Sequence, residues 1–99
     1  MENETVTVVA RIQAKPGKEA ELRGELQKLL APTHAEEGCI SYDMHDSLDD
    51  PGLFLFYESW TTRKAIDRHL GSAHVQNLLS RADQLLAQPV ELTFWRRVE

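Results

Sequence analysis

Cysteine is nearly absent: Cys39 stands alone, so no disulfide can close within the chain and no thiolate cluster for zinc can be built from one copy. A reducing compartment follows, with the cytoplasm as the expected location. Basic runs are missing too. Nothing longer than Arg96-Arg97 occurs, and 16 acidic residues against 11 basic ones leave a formal charge of −5. That balance repels nucleic-acid backbones and anionic membrane surfaces. No apolar stretch approaches the roughly 20 residues that span a bilayer, and Met1 to Thr5 has neither the basic nor the apolar region of a secretory leader. Small molecules remain as ligands.

What is present is ordinary globular usage, 41% hydrophobic and 27% charged residues over 99 positions. This suits one folded domain over residues 1–99, without repeats or low-complexity linkers. From Thr5 to Ala14 the residues Val6, Val8, Ala10 and Ile12 alternate with Thr7, Val9, Arg11 and Gln13, a period of two that predicts a strand. Lys15-Pro16-Gly17 ends it. Leu22, Leu26, Leu29 and Leu30 then recur at helical spacing, predicting a helix that ends near His34. After the Glu37-Gly38 turn, Ile40, Tyr42 and Met44 alternate with Ser41, Asp43 and His45 as a second strand. A loop rich in Asp, Ser, Pro and Gly leads from Asp46 to Gly52 into the strand Leu53 to Trp60, so these strands form a hairpin.

Thr61 or Thr62 can cap a short helix that groups Ala65, Ile66, His69 and Leu70 before Gly71. Ser72 can cap another, with Val75, Leu78, Leu79, Ala82, Leu85 and Leu86 on one stripe. Pro89 closes it, and Val90 to Val98 predicts a last strand. The order β-α-β-β-α-β is that of an α+β ferredoxin-like domain, with helices on one face of an antiparallel sheet. Such a sheet needs apolar residues on one face only. Here Phe54, Phe56 and Trp60 occupy one face of the third strand while Leu53, Leu55 and Tyr57 occupy the other. The helices can cover the first set. A second copy of the chain is the simplest cover for the other, so a homodimer is expected.

Three segments carry a family resemblance: Glu37-Gly38-Cys39-Ile40-Ser41-Tyr42, Phe56-Tyr57-Glu58-Ser59-Trp60, and Ala65 followed by His69-Leu70-Gly71-Ser72-Ala73-His74. In order and spacing they resemble the antibiotic biosynthesis monooxygenase domain, a family of dimeric α+β barrels that includes quinol monooxygenases. The resemblance implies oxidation of a quinol or similar electron-rich aromatic by O2 without metal, haem or flavin. The protein then needs a dry apolar cavity, a proton acceptor and donors for the substrate oxygens. The same fold also serves isomerases, haem-degrading relatives and members without known activity. A non-oxidative isomerase or a metabolite-binding dimer is therefore the alternative.

Candidate site residues follow from the faces. Glu58 shares a face with Phe54, Phe56 and Trp60, an aromatic wall with one carboxylate. It is either a base with a raised pKa or the partner of Arg63 or Arg68 in an ion pair. His69, on the apolar stripe of its helix, is a proton acceptor or a core histidine. His74, in the first turn after Ser72, is kept neutral by the helix dipole and either accepts a proton or helps cap the helix. Tyr42 packs or binds a substrate oxygen. Catalytic roles are thus expected of Glu58, His69 and His74, and substrate contacts of Tyr42, Phe54, Phe56 and Trp60. No HExxH pattern accompanies the histidines, and no metal is expected. Cys39 reads as a small buried hydrophobe, and His34 and His45 as surface residues.

Overall fold

In the computed structural model, which describes residues 5–99, the chain runs β1 (Val6–Gln13), α1 (Glu19–Gln27), α2 (Leu30–His34), β2 (Cys39–Asp46), β3 (Leu53–Trp60), α3 (Arg63–Leu70), α4 (Ala73–Leu79), α5 (Ala82–Leu85) and β4 (Glu91–Trp95). Met1 to Glu4, part of the stretch read for a leader, lies outside the described residues. The strands form one sheet in the order β2-β3-β1-β4, every pair antiparallel. This is the ferredoxin-like α+β fold. Among the described residues no helix is long and apolar enough to cross a membrane.

Four local features depart from the sequence reading, one of them the last strand, which ends at Trp95 and not at Val98. The first helix is divided at Lys28 and Leu29, because Pro32 has no N–H for the Lys28 carbonyl and its ring crowds that carbonyl. Leu29 N–H turns instead to Leu26 O at 3.0 Å. The second helical stripe is divided after Leu79, where the Ser80 hydroxyl takes the Asn77 carbonyl at 2.7 Å and Arg81 N–H reaches Leu78 O at 2.9 Å. In β2 the pairing passes from Cys39↔Trp60 to Ser41↔Ser59, so Ile40 is the extra residue of a bulge. Ile40 is turned out, 56% exposed, while Tyr42 remains inside at 3%.

The helices cover the sheet face that carries Val8, Ala10, Ile12, Tyr42, Phe54, Phe56, Glu58 and Trp60, all buried. The core forms where they meet Leu22, Leu26, Ile66 and Leu85. The opposite face carries Thr7, Val9, Leu53, Leu55, Tyr57, Ser59 and Trp95, of which Tyr57 and Trp95 are 49% and 58% exposed.

Candidate functional site

Between the sheet and α3 and α4 lies a cavity of about 300 Å³. Its walls come from aliphatic residues of β1 and β4, Phe56 of β3, Ile66 of α3, and Val75 and Leu78 of α4. Among the described residues that line it, only Tyr42, Glu58 and His69 have polar side-chain atoms. The volume suits a single small ring system, at the lower end of the roughly 300–1,000 Å³ usual for ligand pockets.

Alternation along β3 brings Phe56 and Glu58 to this wall. Glu58 is 4% exposed and accepts a hydrogen bond from Trp60 Nε1 at 2.8 Å. Arg63, which the sequence offered as an ionic partner, instead lies 3.9 Å from Asp67 and stacks over Phe94 at 4.1 Å. Burial, only partly offset by the indole N–H, pushes the Glu58 carboxyl up to about 7. Tyr42 stacks on Phe56 with ring centroids 4.6 Å apart, and burial with the nearby Glu58 charge pushes its phenol far up.

His69 is positioned by α3. Thr62 Oγ1 accepts Ala65 N–H at 3.1 Å at the start of that helix, and Thr61 N–H donates to Gly38 O at 2.8 Å. The His69 ring lies edge-on to Tyr42 at 5.4 Å and tilted against Trp60 at 4.8 Å. Its Nδ1 is 2.7 Å from Glu36 Oε2, and His74 Nε2 is 2.7 Å from the same oxygen. Burial lowers the His69 pKa against the opposing pull of Glu36, which favours the neutral ring.

Four of the expected site residues, Tyr42, Phe56, Glu58 and His69, thus line one cavity. His74 stands behind His69, joined to it through Glu36. Trp60 is fully buried beneath Glu58 and does not reach the cavity. Phe54 is buried further along β3, under the Arg23 guanidinium at 5.3 Å, and contributes no lining. Cys39 is half-buried, its thiol pushed up by burial and by Glu36 and Glu58. His34 ends α2, exposed, with Nε2–H donating to Tyr42 O at 2.8 Å.

Glu36 is the residue that the sequence did not mark. It sits between α2 and β2, and its neighbours Glu37 and Gly38 read only as a turn. Glu36, His69 and His74 are also the described residues that gather closely enough for a metal ion, their ligand atoms within 4.8 Å of one another. Both N···O distances are 2.7 Å. Ligands at about 2.0–2.1 Å from a tetrahedral ion stand roughly 3.3 Å apart, so the trio sits at hydrogen-bond spacing.

Residues 5–81 match the antibiotic biosynthesis monooxygenase family. The chain is 41% identical over 88 residues to Rv0793 of Mycobacterium tuberculosis, named as a candidate monooxygenase, spanning 89% of this chain and 86% of that one. It is 30% identical over 87 residues to YcnE of Bacillus subtilis, named in the same way, spanning 88% and 92%. The crystal structure of PA3566 from Pseudomonas aeruginosa is similar at a TM-score of 0.91 and 34% identity, over 97% of this chain and 96% of that one.

Proposed function

From the chain's place in the antibiotic biosynthesis monooxygenase family, to which it belongs, we propose that it is a monooxygenase oxidising a quinol or similar electron-rich aromatic with O2, working as a homodimer without metal, haem or flavin. The observation that carries this reading is Glu58, a carboxyl group at about 7 in a cavity otherwise almost wholly apolar. A base is most effective when its pKa lies near the working pH.

The ring of the substrate fits between Phe56 and the aliphatic residues of α3 and α4. Glu58 takes a phenolic proton, and the phenolate passes one electron to O2. The two radicals combine to form a carbon–oxygen bond at the ring. Breaking the O–O bond then leaves one oxygen atom on the carbon and releases the other as water. For a quinol, the products are a hydroxyquinone and one water, which balances one quinol and one O2. The uncharged ring of His69 serves as a second acceptor, and the Tyr42 hydroxyl, held protonated, as a donor to substrate oxygen. Exclusion of water by the apolar walls strengthens each of these interactions.

Oxygen uptake with a panel of hydroquinones, with isotopically labelled O2 to follow the inserted atom, tests the reading. Uptake should rise with pH through about 7, as Glu58 gives up its proton. Glu58→Gln should lower kcat by roughly 10²-fold or more. Absence of substrate-dependent uptake across the panel would overturn the proposal, and turnover of any substrate under strict anaerobiosis would point to an isomerase.

A further inference from the structure

Glu36 is used by none of the steps above, yet two histidines converge on one of its oxygens. Its side chain is 16% exposed, that of His69 5% and that of His74 22%. The direction of each hydrogen bond can be read from the surroundings. The Ser72 hydroxyl donates to His69 O at 2.6 Å, which engages its only hydrogen. His74 Nε2, 3.2 Å from Ser72 Oγ and 2.7 Å from Glu36 Oε2, is therefore the donor to both oxygens. An ionised Glu36 only accepts, so His69 donates to it from Nδ1. A neutral His69 with its proton on Nδ1 has its lone pair on Nε2. His69 lines the cavity and Glu36 does not; with Nδ1 engaged by Glu36, Nε2 is the ring nitrogen left for a ligand in the cavity.

We propose that Glu36 is a positioning residue, which fixes His69 in the tautomer whose Nε2 accepts a proton from the cavity, and that His74 holds the Glu36 carboxylate in place by a second hydrogen bond. A carboxylate in this position also stabilises the imidazolium formed when His69 takes the proton, the division of labour seen in acid–histidine pairs of hydrolases. The other groups facing His69 are Tyr42 of β2 and Trp60 of β3, whose rings pack on it, and Glu58 of β3 across the cavity. Trp60 cannot titrate. Tyr42 stays protonated, and Glu36, Glu58 and His74 are the other ionisable side chains beside His69 or sharing its cavity. The inference rests on the monooxygenase reading only for its kinetic consequence.

Nitrogen NMR of the imidazoles, across pH, tests it directly. In the wild type, neutral His69 should carry its proton on Nδ1. Glu36→Gln keeps the shape and an accepting oxygen but removes the charge, and should weaken proton binding by His69 about tenfold or more. Glu36→Ala should in addition mix the two tautomers; if that variant fails to fold, the Gln variant decides alone. A neutral His69 protonated on Nε2 in the wild type, or unchanged proton affinity in Glu36→Gln, would overturn the proposal. Where a quinol supports oxygen uptake, Glu36→Gln should reduce kcat by roughly 10²-fold with little change in KM. No uptake by the wild type sinks the monooxygenase reading, while the tautomer measurement still decides the role of Glu36.

Discussion

Glu58 is ionised at a cost to the fold. Its carboxyl moves from 4.5 to about 7 on burial, so between these values the folded chain binds more protons than the unfolded one. Stability then falls as pH rises through this window, and the loss is complete above about 7. A shift of this size corresponds to about 3 kcal/mol. Glu58→Gln, which keeps the acceptor for Trp60 Nε1, should be more stable than the wild type at about pH 8, with the gap closing towards about pH 4. Urea unfolding midpoints at the two ends check this, and a gap that widens on acidification would contradict it. Higher stability with lower activity in one variant is the mark of a functional group held against its preference. The alternation along β3 was enough to find Glu58 and Phe56 in the sequence. Trp60 and Phe54 share that face and were equally visible, but a shared face does not tell which side chains a cavity opens between. Glu36 could not be found, because its meaning depends on two histidines 33 and 38 residues away.

At the scale of elements, the period-two strands and the capped helices were legible because each repeats a physical constraint several times over. The two helix divisions and the bulge at Ile40 were not, since each turns on a single hydrogen bond or one extra residue. Pro32 was the one available sign of a break. Two glycines show how local geometry positions the site. Gly38 has φ +94°, and an added Cβ would stand 2.6 Å from Ala65 Cβ. It therefore lets the turn that bears Glu36 lie against the helix that bears His69. Gly24, in the middle of α1, has nothing within 4 Å of an added Cβ. Opposite effects follow. Gly38→Ala should destabilise by about 2 kcal/mol or more, from left-handed strain and the clash with α3. Gly24→Ala should stabilise by roughly 0.5–1 kcal/mol, through helix propensity alone. Thermal melts of the two variants beside the wild type measure both signs. A neutral Gly38→Ala would mean that the turn can move without disturbing α3.

Taken whole, the molecule measures 48 × 29 × 20 Å. Its shortest dimension holds one sheet and one helix layer, since packed layers are separated by about 10 Å. On the far face of the sheet Tyr57 and Trp95 are half exposed and Leu53 and Leu55 half-buried. Threonine and serine, with the exposed Arg11–Glu91 pair, keep this face from being uniformly apolar. Even so, contiguous large side chains on one side of a small domain favour a partner, and two-fold pairing of like faces is the commonest arrangement. A charge at Leu55 tests this without touching the cavity, which lies on the opposite side of the sheet. Leu55 is paired in register with Arg11, an exposed residue 3.7 Å from Glu91. A new carboxylate there has a cation beside it in the single chain, so Leu55→Asp should fold, yet between two sheets it would be buried at a large cost. Sedimentation at micromolar concentration should therefore give twice the chain mass of 11.3 kDa for the wild type and the single-chain mass for Leu55→Asp. A wild type that sediments as the single chain would contradict the pairing. A variant that remains paired would move the interface to another surface, leaving the far face of the sheet as a solvated one.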